Sequence, residues 1–384
     1  MSFYMAIKEV WRNKGRFFLF SLVIALITML VLFIAGLAEG LATANREYLA
    51  KMDAELLVFQ ADAKLSTLTS RLGKDTLAQV RRVPGVLEVG AVGLSNGSLV
   101  FRNGLEDLDV SLIGVEPGKP GGAPALKGRN LRSTRAYEAV IDGRIARKSS
   151  LQVGDRITIK TVQGTEEKYF DLNVVGITDG RQYFFQPSVF VPIQVWDRIR
   201  PQPVAPGVDG EIAYNILAVR LRNPAEQALM AARLQSQVDE IEVVDLVTAY
   251  EASPGYSAQQ GTLNTQRGFT LLIGILVIGG FFQIQTLQKV PNIGMLKAIG
   301  ASNLTVGFAV VLQIIAVTFF GVLLGTLGTV LLSLALPADI PIQFTQTTLL
   351  AAMASLMLIG PLGGLVSVRL ALKVEPLVAL GLSS

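Results

Sequence analysis

Four long stretches of this chain carry no charged side chain: Phe17–Ala38, Gly268–Gln288, the run from Ala298 to Ala338, and Thr347–Val368. About 20 apolar residues in a helix cross a hydrocarbon core of roughly 30 Å. Inside a bilayer a helix is the simplest way for one segment to satisfy its own backbone. The third run is cut by Leu336-Pro-Ala-Asp-Ile-Pro-Ile342, which ends a span near Leu331. Only 17% of the residues are charged, and these gather between Arg46 and Glu251. The expected fold class is therefore a membrane protein: four transmembrane α-helices, with a large α+β extracytoplasmic domain inserted between helices 1 and 2.

The expected division is a cytoplasmic amphipathic helix over 1–16, helix 1 over 17–41, the inserted domain with its stalk over 42–266, and helix 2 over 267–288. A short cytoplasmic segment over 289–303, helix 3 over 304–335, an outer loop over 336–346, helix 4 over 347–368 and a tail over 369–384 complete the chain. A cleaved signal peptide has an apolar region of only about 7–15 residues before a small-residue site. Gly36-Leu-Ala38 and Ala42-Thr-Ala44 offer such sites, but the first run is longer and favours an uncleaved span. Lys8, Arg12, Lys14 and Arg16 precede it, and Lys289, Lys297, Arg369 and Lys373 fall on the same side. The positive-inside rule then puts both termini in the cytoplasm of a multi-pass plasma membrane protein. Leu41, Ala44, Tyr48, Leu49 and Met52 continue the helical spacing, as in a stalk.

Within the inserted region, strands are expected at Ala54–Gln60, Leu108–Val115, Ala139–Asp142, Tyr169–Ile177, Ser188–Pro192, Ala213–Leu221 and Ile241–Leu246. Helices are expected at Asp75–Arg82, Gly143–Ser149 and Pro224–Gln237. Asn96-Gly97, between Val86–Val92 and Ser98–Arg102, predicts a two-residue hairpin turn. Two similar strand–helix lobes, divided at the proline-rich breaks, are expected.

The chain has no cysteine and no histidine. That removes disulfides, thiolate metal sites, the commonest general base and the usual metal ligand. Gly93-Leu-Ser-Asn-Gly97 has the spacing of a serine-hydrolase elbow but no histidine to activate the serine. Gly114-Val-Glu-Pro-Gly-Lys-Pro120 is one residue short of a phosphate-binding loop and has Pro where Ser or Thr would hold magnesium. No basic run with interleaved aromatics points to nucleic acid. No catalytic residue, metal site or cofactor is expected, and ATP-driven work would fall to a partner.

Gly321-Val-Leu-Leu-Gly325 makes a small-residue face on the third span, for packing in one bundle or between subunits. Glu39 and Arg267 stand where spans meet the interface, as anchors or as the lining of a lateral cleft. Met29 and Phe33 lie one turn apart on helix 1, as a lipid-facing or packing stripe or as a ligand contact. Between the second and third spans sits Gln288–Ser302, mildly basic and leashed at the membrane surface.

Ile293-Gly-Met-Leu-Lys-Ala-Ile-Gly-Ala-Ser302 resembles the coupling-helix signature of the FtsX/MacB-type ABC transporter permeases. Lys373-Val-Glu-Pro-Leu-Val-Ala-Leu380 resembles their tail, although Val378 stands where the family often has an acid. Ala139-Val-Ile-Asp142 with Leu151–Ile159 resembles their extracytoplasmic motif. Met29–Leu41, Leu287–Gly300 and Val311–Ile315 are similar to an HrtB-like hemin-efflux subfamily. The resemblance implies a permease, not an enzyme, that forms a homodimer and binds two copies of an ABC-type ATPase. It implies contacts to that ATPase through Ile293, Gly294, Met295, Lys297, Ala298 and Gly300, and efflux of a hydrophobic or amphiphilic substrate. Heme is chemically permissible, since Met, Tyr or a carboxylate can serve as axial ligand. Met29, Phe33, Glu39, Tyr256 and Arg267 are the candidate contacts. The competing expectation is an FtsX-like mechanotransducer that transports nothing and activates an extracytoplasmic partner.

Overall fold

The computed structural model describes residues 14–101, 106–202, 212–253, 256–336 and 340–373. Most of the expected amphipathic helix over 1–16, Asp339 in the outer loop, and the tail beyond Lys373 lie outside the described residues. The chain divides into two compact units: Met1–Leu41 with Gln260–Ser384, and Ala42–Gln259.

The first unit is helical. It contains most of α1 (Lys14–Ala50) and α7 (Tyr256–Gln288), then α8 (Val290–Ala298), α9 (Asn303–Ala335) and α10 (Gln346–Lys373). Among the described residues four helices, α1, α7, α9 and α10, are long and apolar enough to cross a membrane. Their shared interior is built from Ile24, Leu32, Ile278, Phe282, Ile314, Val317, Leu356 and Ile359. Leu26, Leu272, Leu331 and Leu350 point outward, as a lipid-facing surface requires.

Lipid tails are as apolar as leucine, so close approach at small residues rather than hydrophobicity holds such helices together. Gly321 and Gly325 of α9 receive Ile24, Ala25 and Thr28 of α1. The small-residue face is thus filled by a helix of the same chain. Gly279 and Gly363 bring α7 and α10 backbone to backbone: a Cβ at Gly363 would lie 2.8 Å from the Ile275 carbonyl oxygen. Gly360 and Gly364 of α10 accept Thr318 and Ile314 of α9. Gly36 and Gly40 of α1 seat Phe344 and Pro341, and the Gln343 N–H donates to the Gly36 carbonyl at 3.0 Å.

The second unit is built on one mixed sheet, of ten strands among the described residues. In chain order these are β1 (Leu56–Gln60), β2 (Val86–Val100), β3 (Leu108–Val115), β4 (Ala125–Gly128), β5 (Glu138–Asp142), β6 (Arg156–Gln163), β7 (Glu166–Thr178), β8 (Ser188–Pro192), β9 (Ile216–Leu221) and β10 (Ile241–Asp245). Its helices are α2 (Lys74–Arg82), α3 (Gly143–Ser149), α4 (Ile193–Ile199), α5 (Gln227–Gln237) and α6 (Leu246–Glu251). The two expected strand–helix lobes are not divided at the proline-rich breaks but share one sheet. β2 pairs β9 through Val86–Val92 and β3 through Val92–Leu99, so one long strand serves both halves.

The second half closes on itself. β2 pairs β3, β3 pairs β8, β8 pairs β5, β5 pairs β7, β7 pairs β6, and β6 returns to β2. Alternate residues fill the ring from inside, among them Leu99, Leu112, Ile141, Ile159, Val174 and Val189. Ile113, Val140 and Phe190 point the other way and pack with Tyr48 and Leu49 at the end of α1 and with Met52 just past it.

Asn96-Gly97 is not a turn: both residues sit inside β2, opposite Ser111 and Val110 of β3. Glycine at 97 serves close approach instead, since a Cβ there would lie 3.2 Å from the Ile159 side chain on β6. Gly93 and its register partner Gly114 form the seat of the Trp196 indole, which a Cβ at either would enter. Ser95 accepts the Trp196 Nε1–H at 3.0 Å. The Gly-x-Ser-x-Gly spacing is therefore spent on packing.

Candidate functional site

α8 is a two-and-a-half-turn helix between two membrane-length ones. Pro291 in its first turn needs no N–H partner, and Gly300 just past its end takes φ +101°, the left-handed position that glycine fills freely. Ser302 then caps α9 by accepting the Thr305 N–H at 3.2 Å. This Pro–Gly–Ser punctuation confines the segment to one short helix and a sharp reversal.

One side of α8 is anchored. Ile293 and Gly294 are buried, with Ile293 packed on Val306. Lys297 donates to the Leu372 carbonyl at 2.8 Å, in the last turn of α10. A cation there meets both an orphan carbonyl and the negative end of the helix. Lys289 donates to Gln313 at 3.1 Å and lies 5.8 Å from the Phe17 ring centroid.

The other side is bare. Met295, Ala298 and Gly300 are exposed, and so are Ile299 (80%) and Leu304 (86%). Beside them runs a groove of about 580 Å³ lined by Leu296, Ile299, Val306, Ala309 and Val310. Ile299 and Leu304 belong to this bare surface but were not picked out by sequence reasoning. The signal for Ile299 was its helical spacing from Met295, four residues apart, whereas Leu304 lies past the reversal, on α9.

The candidate substrate contacts are divided between the units. Met29, Phe33 and Glu39 are half-buried on α1, with the Met29 sulfur against Gly328 of α9, and Arg267 is half-buried on α7. Tyr256 belongs to the other unit, where it is buried. There its hydroxyl accepts from Arg46 Nη1 at 3.2 Å, and its ring stands edge-on to Tyr250 at 6.0 Å.

In the inserted unit the end of α1 is gripped by a polar cluster. The parallel strands β5 and β7 pair Asp142 with Thr178, and each runs into the same tripeptide, Asp142-Gly-Arg144 and Asp179-Gly-Arg181. Arg144 donates to Glu47 at 2.8 Å, Lys51 donates to Glu47 at 2.8 Å, and the Gln182 N–H donates to it at 3.1 Å. Asp142, fully buried, accepts the N–H groups of Arg144 and Arg181, each at 2.7 Å. Burial raises its pKa above the usual carboxylate value, against the pull of those N–H groups and the Arg144 guanidinium. Asp179 moves the other way: burial raises it, but Arg181 and Lys51 together hold it below its ordinary value. The repeated tripeptide was the readable signal for this cluster.

The family profile of MacB-like periplasmic core domains matches residues 17–250, and that of the FtsX-like permease C-terminal region matches 268–376. A protein of Staphylococcus haemolyticus named as the hemin transport system permease HrtB is 26% identical, over 98% of this chain and 99% of that one. An ABC transporter permease of Mycobacterium tuberculosis strain H37Rv is 21% identical over 98% and 99%. The solved periplasmic region of MacB from Actinobacillus actinomycetemcomitans aligns with 51% of this chain and 90% of that one, at 12% identity and a TM-score of 0.36. The two profiles follow one another across both units, and the chain belongs to the FtsX/MacB-type ABC transporter permeases.

Proposed function

We propose that this permease is the membrane subunit of an ATP-driven exporter, that α8 is its coupling helix, and that two copies pair with two copies of an ATPase. The observation that carries the reading is the two-sidedness of α8. Ile293, Gly294 and Lys297 fasten it to the helical unit, while Met295, Ile299 and Leu304 stand bare beside an apolar groove. A force applied to the bare side reaches α9 through Val306 and α10 through Leu372. In this reading α8 and both termini are cytoplasmic and the inserted unit lies outside. The substrate is hydrophobic or amphiphilic, and the names of the staphylococcal relatives make hemin the first compound to test.

The test places a charge on the bare side of α8, where the fold does not need the side chain. In Ile299→Glu, partner-dependent ATP hydrolysis by the reconstituted complex is expected to fall at least about tenfold, as for loss of an apolar anchor at an interface. A strain lacking the permease is expected to become hemin-sensitive and to be rescued by the wild type but not by this variant. Full ATPase stimulation by the Ile299→Glu variant would sink the coupling assignment. Unchanged hemin sensitivity of the deletion strain would dismiss hemin and leave the coupling assignment standing.

A further inference from the structure

The inserted unit holds a cleft of about 410 Å³, within the roughly 300–1,000 Å³ range of small-molecule sites. Its floor is the outer face of the closed ring, where Val140 and Phe190 stand side by side on β5 and β8. Its roof is the segment Glu116–Pro124. The conformation of that segment is fixed by several contacts. Gly118 and Gly121 take φ +76° and +99°, and Tyr48 donates to the Gly121 carbonyl at 2.8 Å. Arg81 donates to Glu116 at 2.5 Å, and Lys119 donates to Glu88 at 3.3 Å.

Charge is distributed unevenly across this cleft. Lys51, Lys119, Arg181 and Arg220 line it, against two acids, Asp53 and Glu116. The remaining carboxylates that pair with those cations are Glu47, Asp179 and Glu88, and none of the three lines the cleft. The lining therefore carries an excess of positive charge, with Lys51 held by Glu47, Asp179 and the Gly180 carbonyl and Arg220 held by Asp53 and Glu88. Coulomb energy falls with distance, so the wall favours negative charge. Arg181 is 6% exposed and its guanidinium is pinned by Asp179 and the Lys51 carbonyl, so it loses little freedom in meeting a ligand.

We propose that this cleft is a binding site for a small anionic amphiphile, whose acidic head meets the Lys51–Lys119–Arg181–Arg220 wall while its apolar body lies on Val140 and Phe190. The site is in the inserted unit alone and does not depend on the transport reading.

The experiment titrates 2-naphthoate into the full chain in lipid nanodiscs, by saturation-transfer NMR with empty nanodiscs subtracted. A ligand of this size is expected to bind with a dissociation constant on the order of 1 mM. 2-Naphthylmethylammonium and inorganic phosphate are each expected to bind at least about tenfold more weakly, because one has the wrong charge and the other lacks the body. Ala123→Trp fills the cleft without touching a charge and is expected to abolish naphthoate binding. Lys119→Met, at the rim, is expected to weaken it by about three- to tenfold. Equal binding of naphthoate and the ammonium, equal binding of phosphate alone, or naphthoate binding that survives Ala123→Trp would each overturn the proposal. Should the Trp variant fail to fold, Lys119→Met and the three-ligand comparison decide it in the same way.

Discussion

Asp142 is the residue whose replacement most directly tests how the end of α1 is held. Its two carboxylate oxygens accept separate backbone N–H groups, from Arg144 at the start of α3 and from Arg181 beyond β7. Asparagine has the same shape but only one acceptor oxygen, so Asp142→Asn leaves one buried N–H facing an amide NH₂. An orphaned buried donor costs about 1–3 kcal/mol. Losing the 3.5 Å ion pair with Arg144 adds to this, while removing a desolvated charge relieves part of it, so about 2 kcal/mol is expected. In a unit spanning Ala42–Gln259, that lowers Tm by about 4–8 °C. Asp142→Ala leaves both donors unsatisfied, the Arg144 N–H being also the cap of α3, and should cost about 4 kcal/mol. Trp11 and Trp196 are the two tryptophans, so in a Trp11→Phe background the buried Trp196 reports on the inserted unit by fluorescence. The ordering wild type, Asn, Ala is the signature sought. An Asp142→Asn melt within about 1 °C of the wild type, or an Ala variant no worse than Asn, would refute the reasoning.

Glu138 is held below the usual carboxylate range by a two-pronged contact with Arg129, at 2.8 and 2.9 Å. Its folded pKa lies below its unfolded one, so its contribution is present above the unfolded pKa and is lost as pH falls through the folded one. Glu138→Gln should therefore lower Tm slightly at neutral pH, with the gap to wild type closing on acidification. A gap that widens in acid would contradict this. Gly363→Leu drives a side chain into the Ile275 carbonyl on α7 and should cost about 1–3 kcal/mol or more in detergent stability, whereas Leu365→Ala on the exposed side of α10 should be nearly silent. Gly93→Ala should unseat Trp196, cost about 1–3 kcal/mol and shift its emission to the red. An unshifted spectrum would mean the seat is looser than the backbone implies.

Much of the fold could be read from the residues, because hydropathy and period-2 alternation are local signals. β3, α3 and β8 begin and end where the pattern places them. The short segment expected over 289–303 is present as α8, though the helix itself is confined to Val290–Ala298. What could not be read depended on partners distant in sequence. Asn96-Gly97 has the chemistry of a turn, and only the close approach of Ile159, more than sixty residues later, gives glycine a use inside a strand. The bare side of α8 was hidden because apolar residues occupy both sides of so short a helix. The anchored side is decided by Val306 and Leu372, which lie on other elements. The Glu47 cluster was legible only as a repeated tripeptide whose two copies had no evident reason to meet.

The placement of β1 has a consequence for biosynthesis. Leu57 pairs with Ala218 of β9 on one side and Val244 of β10 on the other, so this strand leaves the ribosome long before either neighbour exists. At about 5–20 residues per second, roughly 10–40 s separate its appearance from that of β10. Until β9 emerges Leu56-Leu-Val-Phe59 has both strand edges open, and one stays open until β10 follows, the condition in which short apolar segments pair with the wrong chain. A ribosome pause or a chaperone acting between residues 60 and 245 would bear directly on yield, and the least tolerant mutations for expression should fall on β9 and β10, the two strands that end the wait.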